Sequence, residues 1–166
     1  RIGTSGAVEQ SVKKGDIFIA TGAVRDDGTS KQYIPIEFPA VADFELVTNL
    51  IKASEKLDVE AKVGICQSKD SFFGEVEPER MPVAPYLDYK WSAWQKGGVG
   101  ASEMEAATLF TLAQGVLRGR SRSSTAFRPA FSTSSRCTPM IGPSSLPVRT
   151  SCCSTHAGCQ INRQKV

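Results

Sequence analysis

The amino-acid sequence predicts an α/β domain over residues 1–114 of its 166 residues. Two apolar runs, Gly15–Thr21 and Ala61–Ser68, follow turn residues and have the length of buried strands. Segments with helical periodicity follow each of them. Strands that alternate with helices over this length are typical of a sheet covered by helices. A third observation sets the boundary, because the composition changes abruptly after Gln114.

The first predicted elements are a turn and a strand. Small residues and hydroxyls follow an arginine in Arg1–Gly6, and glycine lets backbone N–H groups in such a turn approach an anion closely. A Gly15-Asp16 turn then leads into the strand that ends at Thr21. Arg25, in the Val-Arg-Asp-Asp-Gly stretch that comes next, is interpreted as a structural residue.

Three helices are predicted around the second strand, Ala61–Ser68. The first opens at Phe38-Pro39, because proline is favoured at the first helical position. Its apolar stripe consists of Val41, Phe44, Val47, Ile51 and Leu57. The second helix contains Trp91 and Trp94 as packing residues, and Ser102 caps a third helix from Glu103 to about Gln114. Cys66, inside the second strand, is interpreted as a buried apolar residue.

Charge divides the chain at the same boundary. Residues 1–114 contain all 17 acidic residues and 12 of the 20 Lys and Arg, a net charge of −5. Residues 115–166 contain eight Lys or Arg, no acid and four of the five cysteines, a net charge of +8. Serine, arginine, proline and threonine dominate this segment, and such a composition buries too little apolar surface to offset chain entropy. We predict that residues 115–166 are disordered, or are out-of-frame or intron-derived sequence joined to a genuine domain.

Several function classes are disfavoured by composition. No run of about 18 apolar residues is present, so we expect neither a membrane span nor a membrane partner. The close spacing of Cys152, Cys153, His156 and Cys159 does not match a closed zinc site, so no metal is expected. The basic tail lacks interleaved aromatic residues, so we expect no specific nucleic acid, and nonspecific binding of polyanions stays as an alternative.

Five blocks in order resemble uridine phosphorylases of the nucleoside phosphorylase-I family. They are Arg1–Ala7, Ala23–Thr29, Glu37–Asp43, Ser68–Phe73 and Ala101–Phe110. The resemblance covers residues 1–114 and implies a three-layer α-β-α domain with a mixed central sheet. Because the family pattern continues beyond both limits, the domain is expected to be incomplete at both ends, as an internal piece of a longer protein would be.

The resemblance also implies an activity. In this family phosphate cleaves a nucleoside to a free base and ribose 1-phosphate, with phosphate as co-substrate and no metal or organic cofactor. Uridine is the favoured substrate, which places the reaction in nucleoside catabolism and pyrimidine salvage. A purine nucleoside is the alternative, and hydrolytic nucleosidases are disfavoured because they have no use for a phosphate-binding arginine. Family members are expected to be cytoplasmic homo-oligomers with shared active sites.

Site residues follow from the resemblance block by block. Arg1 is expected to bind phosphate, and Thr4 to contact both phosphate and ribose. Ribose hydroxyls would be held by Glu103 and Glu105, with Met104 packed on the sugar. Phe72 would stack on the base. Arg80 would contact the base and act as a catalytic residue by stabilising negative charge on it.

One departure from the family pattern weakens the assignments of uracil and of Arg80, and a second lowers the expected turnover. The family's base site has a glutamine shortly after the aromatic pair, where this chain has Glu75. Further phosphate-binding residues and a ribose-binding histidine of the family would precede Arg1. We therefore expect weak turnover or none, and a non-catalytic fragment or pseudoenzyme with a polyanion-binding tail is the alternative. Phosphate-dependent release of the base distinguishes the two.

Overall fold

A mixed sheet of six strands forms the centre of the computed structural model, which describes residues 1–116 and 125–132. The strands are β1 (Ile2–Ala7), β2 (Ile17–Asp26), β3 (Ala40–Val41), β4 (Ala61–Lys69), β5 (Val99–Glu103) and β6 (Thr125–Ser132). The helices are α1 (Phe44–Lys56), α2 (Phe72–Val76), α3 (Ala84–Lys96) and α4 (Ala106–Thr111). Short 3-10 turns cover Ser30–Gln32 and Pro78–Arg80, and a π-helical turn, Leu112–Val116, follows α4.

The strand order is β3-β2-β4-β5-β1-β6. Strands β2, β4 and β5 run parallel to one another, β3 is antiparallel to β2, and β1 is antiparallel to β5. Strand β6 runs parallel to β1 and also pairs antiparallel with β2. The sheet therefore curves until β6 closes a ring of five strands, and β3 lies outside that ring.

Helices cover both faces of the sheet. Ala23 and Val24 are consecutive residues of β2, yet they pack against two different apolar clusters. Successive strand residues point to opposite faces, so the two clusters lie on opposite sides of the sheet. Phe110 of α4 belongs to the first cluster, and Trp91 of α3 belongs to the second. The predicted α/β fold with a mixed central sheet is confirmed, and the packing interpretation of Trp91 and Trp94 is confirmed with it.

Three predicted elements are wrong in their local assignment. Arg1–Gly6 is not a turn, because β1 begins at Ile2 and pairs with β5 and β6. The first helix begins at Phe44 rather than Phe38, because the Asp43 carboxylate accepts the N–H of Leu46 at 2.9 Å and caps it. Ser102 lies inside β5 and caps nothing, so the last helix starts at Ala106. In the first and third cases strand pairing across the sheet overrides a local preference.

The sequence predicts no element beyond Gln114, and strand β6 departs from that expectation. It lies within the segment predicted to be disordered, and its backbone pairs with two strands of the domain. The rest of that segment, with Cys152, Cys153, His156 and Cys159, lies outside the described residues. Within residues 1–116 and 125–132, no helix is both long enough and apolar enough to cross a membrane.

Candidate functional site

A cavity of about 180 Å³ lies where β1, the carboxyl ends of β4 and β5, and the segment leading into α4 meet. These are the places where the predicted site residues stand in the sequence, so the topology collects side chains that are up to 104 positions apart. The residues lining it are Arg1, Thr4, Ser5, Gly6, Lys69, Phe72, Ser102, Glu103, Met104 and Glu105. Six of the seven predicted site residues therefore share one cavity.

Arg80 is the predicted site residue that the structure does not bring to this cavity. It belongs to the exposed 3-10 turn after α2, and its guanidinium is paired with the Glu77 carboxylate of the same turn. An exposed ion pair of this kind is screened by solvent and provides little orientation for a ligand. The expected contact between Arg80 and a base is therefore not supported by the geometry.

Arg1 lies between two carboxylates at the rim of the cavity. Its guanidinium nitrogens are 3.5 Å from Glu103 Oε2 and 2.5 Å from Glu105 Oε2. Its side chain is 28% exposed, whereas that of Glu105 is 55% exposed. The planar guanidinium is thus oriented by protein carboxylates on one side and borders the cavity, a position suited to an oxyanion such as phosphate.

Glu103 is buried and is held by the start of α4. Its Oε2 accepts the backbone N–H groups of Glu105 and Ala106 at 2.8 and 2.9 Å, and its Oε1 accepts the Ser68 hydroxyl. Burial raises the pKa of Glu103 above its ordinary value, although these hydrogen bonds act in the opposite direction. Both oxygens have protein partners, so Glu103 positions Arg1 and α4, and the exposed Glu105 is the better placed carboxylate for a ligand.

The apolar part of the lining comes from Phe72 and Met104. Both side chains are partly exposed. The Phe72 ring packs edge-on against Phe73, with ring centroids 5.5 Å apart. Ser71 caps α2 by accepting the N–H of Gly74 at 2.9 Å and so fixes where Phe72 begins the helix. An aromatic face and a thioether at one cavity can pack on a planar base and on a sugar.

Two consecutive hydroxyl residues of β1 complete this wall. Thr4 is exposed, which fits a residue that contacts a ligand. Ser5 is buried, and its Oγ has no hydrogen-bond partner among the described residues. A buried polar atom is normally hydrogen-bonded, so Ser5 Oγ is a further group available to a bound molecule. The Thr-Ser sequence signalled these hydroxyls, but the prediction assigned a role only to Thr4.

Sequence reasoning missed Lys69, which ends β4 and lines the cavity. It is 7% exposed, and its Nζ lies 2.6 Å from Glu75 Oε2 and donates to Ser102 Oγ at 2.7 Å. Ser102 Oγ also donates to Gln67 Oε1 at 2.7 Å. The only sequence signal was that Lys69 lies inside the Ser68–Phe73 block, since nothing local shows that Glu75 will pair with it.

Two other sequence interpretations are confirmed. Arg25 is buried, and its guanidinium donates hydrogen bonds to residues of the loop between β2 and β3, so it is structural. Cys66 is a buried free cysteine, and burial raises the pKa of its thiol well above the ordinary value. Among the residues that the structure describes, no group of three or more His, Cys, Asp or Glu is arranged to bind a metal ion.

Comparison with known proteins identifies the family of this chain. The profile of the phosphorylase superfamily matches residues 1–116. Uridine phosphorylase of Treponema pallidum is 47% identical over 112 residues, which cover 68% of this chain and 43% of that protein. Uridine phosphorylase of Escherichia coli K12 is 40% identical over 124 residues, which cover 72% of this chain and 49% of that protein. Guanosine phosphorylase of Halorubrum lacusprofundi is 40% identical over 114 residues, which cover 69% of this chain and 43% of that protein.

The chain therefore spans less than half the length of these curated relatives. The matched segment contains every residue of the described cavity, and the resemblance to uridine phosphorylases drawn from the sequence is confirmed. By sequence and fold, this chain is a member of the phosphorylase superfamily.

Proposed function

We propose that this chain forms the nucleoside-binding site of a uridine phosphorylase, which converts uridine and phosphate to uracil and ribose 1-phosphate. The observation that carries the proposal is the single cavity shared by Arg1, Phe72, Met104 and Glu105. It combines a cation for an oxyanion, a carboxylate for sugar hydroxyls and an aromatic face for a base. The comparisons support this combination through the relatives named uridine phosphorylase.

The proposed division of roles follows the charges. Arg1 and the Thr4 hydroxyl bind phosphate at the rim, where two hydrogen-bonding groups orient its attacking oxygen. The Glu105 carboxylate accepts hydrogen bonds from ribose hydroxyls. The carboxylates of Glu103 and Glu105 also place negative charge beside the sugar, which favours the cationic, oxocarbenium-like state formed when the glycosidic bond breaks. Phe72 stacks on the base and holds it away from water.

A guanine nucleoside is the second candidate substrate, because one relative is named guanosine phosphorylase. Uridine stays favoured because uridine phosphorylase of Treponema pallidum, at 47% identity, is more similar to this chain than the guanosine phosphorylase is, at 40%. Direct competition between the two nucleosides decides between them.

The proposal further holds that the protein acts in the cytoplasm as a homo-oligomer with shared active sites, with phosphate as co-substrate and without a metal or organic cofactor. Turnover by this chain is expected to be slow, because Glu75 stands where the family pattern has an amide. The alternative is a non-catalytic protein whose basic segment binds polyanions.

The test uses the purified 166-residue chain with uridine, in matched buffers with and without inorganic phosphate. Uracil and ribose 1-phosphate are quantified by chromatography, and uridine affinity is measured by calorimetry. We expect uridine to bind and uracil to appear only with phosphate. Equal release of uracil with and without phosphate would indicate a hydrolase. Absence of both binding and release, together with salt-sensitive retention of RNA, would support the polyanion-binding alternative.

A further inference from the structure

We propose that Lys69 is a further catalytic residue of this site, whose ammonium stabilises the negative charge that develops on a carbonyl oxygen of the departing base. The inference rests on the proposed phosphorolysis and specifies its substrate class. The base must carry a carbonyl group conjugated to the glycosidic nitrogen, as oxopyrimidines and 6-oxopurines do. Glu75 is then a positioning residue that holds Lys69 through their ion pair.

The position of Lys69 supports this role. It ends β4 three residues before Phe72, and both residues line the same cavity. The two basic residues in the cavity lining are Arg1 and Lys69. Arg1 lies with Glu103 and Glu105, next to the groups proposed for phosphate and ribose. Lys69 is therefore a second positive charge of this cavity, on the strand that leads to Phe72, the residue proposed to stack on the base.

The contacts of Lys69 fix its orientation without using all its donors. Glu75 Oε2 at 2.6 Å and Ser102 Oγ at 2.7 Å take two hydrogen bonds from Nζ. An ammonium has three N–H donors, so one is left for a ligand. Ser102 is held in turn by Gln67, whose Oε1 lies 2.7 Å from Ser102 Oγ. Both Lys69 and Glu75 are more than nine-tenths buried, so the charged group is already oriented before a substrate arrives.

The chemistry of bond cleavage gives this cation its function. A phosphate oxygen forms a bond to the anomeric carbon while the carbon–nitrogen bond breaks, and the bonding electron pair moves to the base. The resulting anion is delocalised onto the carbonyl oxygens and later takes a proton from water. A fixed positive charge that is already oriented stabilises such an anion more in the transition state than in the ground state. Arg80, predicted for this role, is paired with Glu77 outside the cavity.

A purely structural ion pair is the competing explanation. Buried pairs often contribute little net stability, so burial alone does not explain why a charged pair is kept here. Lys69 also borders the cavity of about 180 Å³ rather than being enclosed by protein on every side. The two explanations differ in one observable. A catalytic cation matters more when the leaving base is a poor anion, whereas a structural pair affects all substrates alike.

The experiment therefore compares uridine with 5-fluorouridine, whose base is the more stable anion. The variants are Lys69→Met, Lys69→Arg and the double variant K69M/E75Q, all assayed for phosphate-dependent release of the base. Lys62→Met is the matched control, because Lys62 lies on the same strand but pairs with Glu60 at the surface. Thermal melts check that each variant is folded. The double variant is included because Lys69→Met alone leaves the buried Glu75 carboxylate without its cation.

We expect Lys69→Met to lower kcat on uridine about 100-fold or more. The fold-decrease in kcat on 5-fluorouridine should be about ten times smaller than that on uridine. Lys69→Arg should restore most of the activity, the double variant should show the same substrate dependence as Lys69→Met, and Lys62→Met should match the unmodified chain. Equal losses on both substrates, or no loss in a folded K69M/E75Q protein, would overturn the role of Lys69 alone. Absence of base release by the unmodified chain from either nucleoside would overturn the proposed function and this inference together.

Discussion

Arg25 and Arg1 are two arginines with opposite uses. Arg25 is 8% exposed, and its guanidinium donates to Ser30 Oγ and to the carbonyl oxygens of Ser30, Ile34, Pro35 and Phe38. Arg1 lies at a cavity rim and contacts two carboxylates. The first guanidinium is enclosed by its own loop, and the second borders space that a ligand can occupy.

The difference shows that residue type does not distinguish a structural from a functional arginine. Both lie in blocks that resemble the family, and both are surrounded by oxygen atoms. What differs is whether the acceptors are the carbonyls and the hydroxyl of an enclosing loop, or carboxylates beside an open cavity. Substitution of each arginine should therefore affect a different property, stability for Arg25 and ligand affinity for Arg1.

Arg25→Met should destabilise the fold strongly, because it leaves buried carbonyl oxygens without donors. Each such loss costs about 1–3 kcal/mol, so we expect the free energy of unfolding to fall by about 3 kcal/mol or more. Urea denaturation followed by circular dichroism measures it. Arg80→Met is the matched control and should change stability by less than about 1 kcal/mol, since its ion pair is exposed. Similar values for the two variants would remove the contrast.

Arg1→Met should affect phosphate rather than stability. Loss of charge-assisted hydrogen bonds of about 1.5–3 kcal/mol predicts a phosphate affinity lower by about ten- to hundredfold. Calorimetric titration with inorganic phosphate in the presence of uridine measures the change. Stability should fall by less than about 1 kcal/mol, because Glu103 keeps its contacts with Ser68 and the start of α4. Unchanged phosphate affinity would mean that Arg1 is a structural arginine like Arg25.

The pH dependence of stability should distinguish Glu103 from Asp27. Burial raises the pKa of Glu103, so the stability it contributes is full below its ordinary pKa of 4.5 and is lost as pH rises through the higher folded value. Burial would also raise the pKa of Asp27, but hydrogen bonds from Ser30 and Thr108 lower it. The contribution of Asp27 is therefore present above its ordinary pKa of 3.8 and is lost as pH falls.

Glu103→Gln isolates the first of these effects, because Asp27 is common to both proteins and cancels. The stability of the unmodified chain minus that of Glu103→Gln should decrease as pH rises from about 4 to about 7. Urea denaturation at a series of pH values measures this difference. Glu105→Gln is the control, since Glu105 is largely exposed. A difference that increases with pH would show that ionised Glu103 stabilises the fold.

Gly3→Ala should give the smallest effect, and it tests the position of the Arg1 guanidinium directly. A Cβ at Gly3 would lie 3.1–3.2 Å from the Arg1 guanidinium, so this flexible group must move by a few tenths of an ångström. We expect phosphate affinity to fall about two- to fivefold while stability changes by less than about 0.5 kcal/mol. Gly64→Ala is the control, because its Cβ would make only ordinary contacts with Phe18, the nearest at 3.4 Å. Equal phosphate affinities for the two variants would show that the exact position of Arg1 is unimportant.

Much of the fold was predictable because its signals are local. The apolar runs at β2 and β4, the amphipathic segments at α1 and α3, and the buried Cys66 all follow from composition and periodicity. Boundaries were less predictable. The Thr-Ser-Gly segment of β1 has weak strand propensity and becomes a strand only because β5 and β6 lie on either side of it.

The sequence by itself determined the fold class and the family, because motifs in a fixed order identify both directly. Six of the seven site residues that the sequence predicts line the cavity. Only the tertiary structure decided which charges meet. Lys69 and Glu75 pair because α2 folds back beside the end of β4, and Arg80 is left at the surface with Glu77. The tertiary structure also buries the Glu103 carboxylate against the start of α4 and leaves that of Glu105 exposed. Ion pairs, caps and cavities depend on distances in space, and spacing along the chain does not specify those distances.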